Sequence, residues 1–222
     1  MVSDAHMSAS GPSRPYSKAE LISDAALHVT ALVVALGAVP VLITLTAIWY
    51  GQAAPITGVA IYGATLIAMI SASLLYNHLP MPHWRSWLLR FDRSAIYLKI
   101  AGTYTPFTLL TGAGGLLLTV IWVFAILAAI ANFFIPRRSV GLSIGICLAL
   151  GWAVVAGGWS IIAQLPLAVV ILMITGGLLY TVGTLFLALH KLRFHNTIWH
   201  GFVFAASTLF FIAIFMQSAT GV

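Results

Sequence analysis

The sequence predicts an all-α membrane protein, a seven-transmembrane helix bundle with the N-terminus in the cytoplasm and the C-terminus outside. The first observation is composition: the 222 residues are 61% hydrophobic and 6% charged, whereas soluble domains are roughly 45–50% apolar and about 25% charged. The second is that apolar runs of span length recur along the chain. The third is a one-sided distribution of basic residues. Together they exclude a cytosolic enzyme and a disordered chain, and the single cysteine excludes a disulfide-stabilised secreted domain.

Seven segments are long and apolar enough to span a bilayer, which takes about 20 residues. Glycine- and proline-containing turns separate several of them. The predicted spans are residues 26–49, 56–77, 94–110, 116–135, 140–159, 166–189 and 197–217. Residues 1–24 are rich in Ser, Ala and Pro and are expected to form a cytoplasmic polar tail, leaving 25–222 as the transmembrane domain. The third span is the shortest and contains Lys99 and Pro106, so six spans are the main alternative.

The placement of the basic residues favours seven spans. With seven, the N-terminal tail and the 2–3, 4–5 and 6–7 connections share one side, and nine of the ten Lys and Arg lie there: Arg14, Lys18, Arg85, Arg90, Arg93, Arg137, Arg138, Lys191 and Arg193. The tenth, Lys99, is expected to reach back to that side along its aliphatic stem. The positive-inside rule makes this side cytoplasmic. The net charge of +6 therefore indicates topology, and the expected partners are membrane lipids and not nucleic acid.

Polar side chains at the ends of four spans gather at the same cytoplasmic edge. Ionisable groups at membrane depth are costly and usually mark function. The residues are Glu20, Asp24, His28, Ser73, Asn77, His78, Asp92, His195, Asn196 and His200. Contact with headgroup water is the simpler explanation for some helix-end residues, and we expect His78, His83, His190 and His195 to be interfacial only. That explanation fits Asp24, Asp92 and His200 less well.

Helical spacing places several of these residues on common faces. Residues four apart on a helix are neighbours, and such a pair can grip one metal ion or one substrate group. The sets with this spacing are Glu20, Asp24 and His28; Ser73 and Asn77; and Asn196 and His200. At about 100° per residue, His195 points away from His200 unless the helix begins after it.

Three segments carry a family resemblance: SLLYNH from Ser73, DRSAIYLKIAGTYTPF from Asp92 and FHNTIWHGFV from Phe194. They resemble the bacterial hemolysin III proteins, within the superfamily of the progestin and adiponectin receptors. The resemblance implies seven helices with the N-terminus inside, in a bacterial inner membrane. It also implies a zinc ion near the cytoplasmic side, held by one His of a Ser-x-x-x-His pattern and two of a His-x-x-x-His pattern. A wider likeness to alkaline ceramidases implies metal-dependent hydrolysis of lipid amides.

Carried over by position, Ser73, Asp92 and His200 match the family's serine, aspartate and last histidine, but Asn77 and Asn196 stand at the other two ligand positions. An amide oxygen is a poor zinc ligand. Three arrangements remain open. The helices can shift register so that His78 and His195 bind the metal. The ligands can instead be Asp24, His28, Asp92 and His200. Or the site holds no metal, and the amides form a hydrogen-bond network with Ser73 and Asp92.

Three functions compete on this evidence. The first is an intramembrane hydrolase of a lipid amide or ester, with Asp92 as general base or water orienter and Ser73 as donor to the oxyanion. The second is a receptor or sensor that binds a lipid in the same pocket without turnover. The third is a pore-forming hemolysin, which fits least well because the sequence offers no spare amphipathic segment.

Topology is directly testable. We expect residues 1–24 in the cytoplasm and Val222 outside, because the basic residues are one-sided. A reporter that is active only outside the cytoplasm, fused after Val222, should be active. If a reporter that is active only in the cytoplasm is active when it is fused at the same point, the predicted orientation is wrong.

Overall fold

A computed structural model describes residues 16–134, 140–189 and 191–220. Within these residues the chain is helix and turn, with no strand. The helices are α1 (Lys18–Tyr50), α2 (Ala53–His78), a 3-10 turn at Pro82–Trp84, α3 (Arg85–Thr111), α4 (Gly115–Phe134), α5 (Val140–Gly157), the short α6 (Trp159–Ile162), α7 (Leu167–Ala188) and α8 (His195–Ala219). The prediction of an all-α fold is confirmed.

Some sequence expectations fall outside the described residues: Arg14, Arg137, Arg138, His190 and Val222 are among them. Where they can be compared, the helices coincide with the predicted spans but several begin earlier. Helix α1 begins at Lys18 and α3 at Arg85, so the acidic residues Glu20, Asp24 and Asp92 lie within helices. Polar first turns therefore extend apolar spans toward the membrane surface.

Six helices are long and apolar enough to cross a membrane, judged by length and composition over the described residues: α1, α2, α4, α5, α7 and α8. Helix α3 is not among them, since it carries Arg85, Arg90, Asp92, Arg93 and Lys99. Its position explains this polarity. It packs against α2, α4, α5 and α8, and residues 101–108 are all buried. A helix that other helices enclose has little lipid contact and need not be apolar all round. The count of seven spans stays a prediction.

Large apolar side chains cover the outward faces of the bundle. Leu116, Phe134 and Val155 are 81%, 80% and 73% exposed, and many Val, Ile and Leu residues resemble them. Contiguous apolar patches larger than a few hundred Å² are rare on soluble monomers. These faces are therefore suited to contact lipid, as the composition predicts.

Glycines let the helices approach closely. A Cβ atom on Gly102 of α3 would lie 2.1 Å from the Thr65 hydroxyl of α2, and one on Gly63 would lie 2.2 Å from a methyl group of Val39 in α1. In lipid, helix association depends on such close packing more than on a hydrophobic drive. The α1–α2–α3 arrangement, which carries half of the site described below, thus depends on these two small residues.

The contact at Gly102 predicts the effect of a single methyl group. Gly102→Ala gains helix propensity of about 1 kcal/mol, but the clash with Thr65, whose hydroxyl bonds the carbonyls of Ile61 and Tyr62, costs about 1–3 kcal/mol. We expect net destabilisation, measured as a lower unfolding temperature in detergent. Gly145→Ala on α5 is the matched control, because no atom lies within 4 Å of its added Cβ, and it should not destabilise. Equal behaviour of the two variants would contradict the close α2–α3 packing.

Candidate functional site

The start of α1 is tied to the start of α8 through Glu20. Ser17 caps α1: its hydroxyl accepts from the Glu20 N–H, and a Glu20 carboxylate oxygen accepts from the Ser17 N–H and hydroxyl at 2.9 Å each. The other oxygen of Glu20 accepts the Phe194 N–H at 2.8 Å. Phe194 precedes α8 with φ 60°, a conformation that is uncommon outside glycine. Glu20 therefore joins two helix ends, which accounts for its burial.

Asp24, one turn along α1, joins three histidines from three helices. Its carboxylate oxygens lie 2.6 Å from His200 Nδ1 on α8 and 2.9 Å from His78 Nε2 on α2. Its backbone carbonyl lies 2.9 Å from His28 Nδ1 in its own helix. Asp24 is 3% exposed. A buried carboxylate is tolerated when it is paired and hydrogen-bonded, and here all of its partners are imidazoles.

Two of these histidines turn their second nitrogen toward Ser73. The Ser73 hydroxyl lies 3.1 Å from His28 Nε2 and 3.4 Å from His200 Nε2. The two rings meet edge to face, with centroids 4.2 Å apart. Each imidazole is thus held at Nδ1 by Asp24 and presents Nε2 to a common point. Metal-binding histidines are commonly oriented in this way, with the far N–H donated to a carboxylate or a backbone carbonyl.

The two asparagines at the positions where the sequence resemblance implies metal ligands bond to each other. Asn196 Nδ2 donates to Asn77 Oδ1 at 3.2 Å, and Asn77 Nδ2 donates to the Ser73 carbonyl at 2.9 Å and approaches its hydroxyl at 3.3 Å. Of the amide network expected in one of the three arrangements, the bonds that join Asn77, Asn196 and Ser73 are therefore present. It links α2 to α8 beside the histidine cluster.

Asp92 lies at the same mouth of the bundle. It interacts with the Ser73 side chain and is close enough to His200 and Asp24 for their charges to act on it. Arg90 instead donates to the Phe133 carbonyl at 3.2 Å and lies over the Trp87 ring. The structure therefore places Asp92 beside the cluster, where the charge of Arg93 also acts on it.

Two histidines correct the expectation that they are interfacial only. His78 reaches inward to Asp24. His195 is 3% exposed, and its Nε2 lies 3.1 Å from the Tyr16 hydroxyl. As its spacing from His200 predicts, it faces away from the cluster. His83, in contrast, is exposed. The position of these histidines at helix ends could not distinguish the buried ones from the exposed one, because the direction of a side chain depends on the neighbouring helices.

The cluster fits a metal ion. One ligand atom from each of Asp24, His28 and His200 lies within 4.8 Å of the others. Imidazole nitrogen and carboxylate oxygen are ordinary zinc ligands, and three protein ligands leave a fourth position for water or substrate. This set matches one of the arrangements left open by the sequence, except that Asp92 is not part of it.

A cavity of about 670 Å³ opens from the cluster into the bundle. Asp24, His28, Ser73, Asp92 and His200 line its polar end. Most of the remaining wall is apolar and comes from α1, α2, α3, α5, α7 and α8. The volume falls in the range of ligand sites, roughly 300–1,000 Å³. The arrangement therefore joins a polar reaction or binding centre to space for an apolar chain.

Lys99 corrects a second expectation. It does not extend to the membrane surface, because it is 3% exposed and its Nζ donates to the Tyr180 hydroxyl. It lines the same cavity. The sequence signal for a buried, cavity-lining position was a lysine within an apolar run.

These features define a class of protein: an α-helical, multi-pass membrane protein with a buried histidine–aspartate site. The chain belongs to the haemolysin-III-related family, whose model matches residues 19–211, a range that includes every candidate residue above. It is 34% identical to the hemolysin-3 homolog of Bacillus subtilis (strain 168) over 198 residues, covering 88% of this chain and 92% of that protein. It is 33% identical to hemolysin-3 of Bacillus cereus, covering 88% and 90%. No solved structure matches the chain significantly. The resemblance seen in the sequence is confirmed, and with it a bacterial membrane location.

The contacts of Asp24 predict the cost of its removal. Asp24→Asn keeps the shape of the side chain but sets an amide N–H₂ against an imidazole, leaving a buried polar group unsatisfied at about 1–3 kcal/mol. We expect a lower unfolding temperature in detergent. His83→Ala, an exposed position, is the control and should unfold as the wild type does. An unchanged unfolding temperature for Asp24→Asn would show that Asp24 does not hold the three helices together.

Proposed function

We propose that this protein is a metal-dependent hydrolase of lipid amides or esters, acting at the cytoplasmic leaflet of the bacterial membrane. The observation that carries the proposal is the convergence of His28 Nε2 and His200 Nε2 on Ser73 at the polar end of a largely apolar cavity. A lipid whose chain occupies the cavity would place its polar linkage beside these groups.

Asp24, His28 and His200 would hold the metal. A zinc ion there would polarise a carbonyl group and make bound water acidic enough to serve as a nucleophile at neutral pH. Asp24 bonds to the Nδ1 atoms of both imidazoles. A metal held by the two Nε2 atoms would therefore have Asp24 as the group that orients the rings, and a metal held on the Nδ1 side would have it as a ligand. The Ser73 hydroxyl would donate to the oxygen on which negative charge develops.

Asp92 would accept and return the proton. Its position beside Ser73 and His200 brings a carboxylate to the edge of the site without making it part of the proposed ligand set. A general base must be within hydrogen-bond reach of the water it activates, directly or through one other water. The Asn77–Asn196 pair would fix the adjoining wall of the site.

The cytoplasmic placement depends on the proposed topology. We take α3 as the third of seven spans, since its charged first turns lie at one end and its buried residues 101–108 lie in the bundle. The starts of α1, α3 and α8 and the end of α2 then share one membrane face. The basic residues make that face cytoplasmic.

The alternative is a lipid-binding receptor or sensor without turnover. The Asn77–Asn196 hydrogen bond favours it, because these amides stand where the resemblance implies metal-binding histidines. In that case the same cavity would bind a lipid, and the polar cluster would be a hydrogen-bond network alone.

Metal content and turnover test the proposal together. Detergent-purified wild-type protein should contain about one zinc ion per chain by elemental analysis, and His200→Ala should lose it, since three ligands define the proposed site. His83→Ala should keep it. With an N-acyl amino-alcohol lipid and the matching ester as substrates, Asp92→Asn should lower turnover by about 10²–10⁴-fold, and Ser73→Ala by about 10²–10³-fold. Both variants should keep the metal.

The outcomes separate the two functions. The hydrolase is supported if the wild-type protein contains zinc, His200→Ala does not, and Asp92→Asn lowers turnover while keeping the zinc. Wild-type protein that binds lipid but contains no metal and hydrolyses neither substrate supports the receptor. Turnover that survives in His200→Ala would overturn the proposed centre.

A further inference from the structure

A cation lies deep in the cavity, away from the histidine cluster. Lys99 is 3% exposed and lines the cavity wall. It follows Asp92 by seven residues, so both lie on nearly the same face of α3, with Lys99 about 10 Å deeper. On α8, Ser207 follows His200 by the same interval. The two levels of polar groups are therefore stacked along one cavity.

Hydroxyl groups and aromatic rings surround the Lys99 ammonium. Its Nζ donates to the Tyr180 hydroxyl, which lies 2.6 Å from the Ser207 hydroxyl. The Tyr180 and Phe210 rings lie 4.4 Å and 5.4 Å from Nζ, measured to their centroids. Rings attract a cation weakly, by roughly 0.5–2 kcal/mol, and hydroxyl groups carry no charge.

The charge of Lys99 lacks a counter-charge on the described part of the chain. No carboxylate of those residues lies within ion-pair distance of Nζ; the ion pairs described for the site all involve Asp24. A charge removed from water is costly unless it is paired, and ionisable groups at membrane depth usually face a substrate or ion pathway. Lys99 faces the cavity, so the missing negative charge would come from its occupant.

The surroundings limit the occupant. One ammonium balances one negative charge, which favours a carboxylate over a phosphomonoester carrying about two. Apolar side chains make up most of the cavity wall, among them Ile100, Phe107, Val170, Met173, Val203 and Phe210, and the Phe210 ring lies 5.4 Å from Nζ. They suit a hydrocarbon chain. A cavity of about 670 Å³ is of the size that encloses one small ligand, and a single-chain amphiphile meets this limit better than a two-chain phospholipid.

We infer that Lys99, Tyr180 and Ser207 form a carboxylate-binding subsite that holds the head of a single-chain fatty acid within the bundle. Lys99 supplies the charge, and the Tyr180 and Ser207 hydroxyl groups supply neutral donors beside it. The subsite does not rest on the proposed hydrolase activity, because it requires neither a metal nor turnover. The fatty acid can come from the membrane or from hydrolysis at the polar end of the same cavity.

Palmitate binding to the detergent-purified full chain tests the subsite, with hexadecanol as the uncharged probe of equal chain length. Lys99→Met removes the charge and keeps the length of the side chain, and should weaken palmitate binding by about tenfold or more while leaving hexadecanol binding nearly unchanged. Lys99→Arg should retain most of the palmitate affinity. Lys191→Met, at an exposed position, is the matched control and should bind as the wild type does. Thermal unfolding verifies that each variant is folded.

Several results would overturn the inference. One is that the wild-type protein binds palmitate no more tightly than hexadecanol, a comparison that requires no variant. Another is folded Lys99→Met that keeps its palmitate affinity. A third is loss of palmitate binding in His200→Ala together with its retention in Lys99→Met, which would place the carboxylate at the histidine cluster.

The source of the ligand is separable by extraction. Fatty acid that copurifies with both wild-type protein and His200→Ala comes from the membrane, whereas fatty acid that copurifies only with the wild type is a product of the chain's own activity. If the protein proves to have no zinc and no turnover, palmitate binding that depends on Lys99 is still expected. Failure of the hydrolase proposal and failure of the subsite are thus distinguishable.

Discussion

The buried carboxylate of Asp24 is the constraint on which the site depends. Its side chain and backbone accept from His28 in the same helix, His78 at the end of α2 and His200 near the start of α8. Because a buried carboxylate needs partners, and each of these imidazoles has one nitrogen committed to it, the relative positions of α1, α2 and α8 are fixed together. Glu20 adds a second connection between the starts of α1 and α8, because its carboxylate accepts the Phe194 N–H. The outcome is a preorganised pair of Nε2 atoms facing Ser73.

Helix α3 shows how a polar segment is accommodated in a membrane protein. It is too polar to be recognised as a span by hydropathy, yet it lies among α2, α4, α5 and α8, which shield it from lipid. Its Thr103 and Thr105 hydroxyl groups bond to carbonyls one turn back in the same helix, whereas those of Ser94 and Tyr104 bond to carbonyls of α4 and α5. One face carries Asp92 and Lys99 toward the cavity, so the enclosed helix presents an acid near the mouth and a cation deeper in.

The Asn77–Asn196 pair changes where a metal would bind. The resemblance implies ligands from the second and seventh spans, which are α2 and α8. Here those positions are joined by an amide hydrogen bond, and the donor set that fits a metal draws on Asp24 and His28 of α1 together with His200. The donor set is therefore displaced toward α1, where Asp24 supplies the negative charge.

The sequence by itself determined the class of the protein and the set of polar residues. Composition requires a lipid environment, and period-four spacing puts Asp24 and His28, or Ser73 and Asn77, on one face whatever surrounds them. Only the tertiary structure decided which of these groups meet. His78 and His195 are both helix-end histidines, and the direction of each ring depends on what the neighbouring helix offers: a carboxylate for His78, the Tyr16 hydroxyl for His195. Lys99 was visible as a charge in an apolar run, but whether it reaches the headgroups or turns inward is decided by Tyr180, 81 residues away in the chain. Local spacing fixes the faces of a helix, whereas contacts between helices distant in sequence fix the partners.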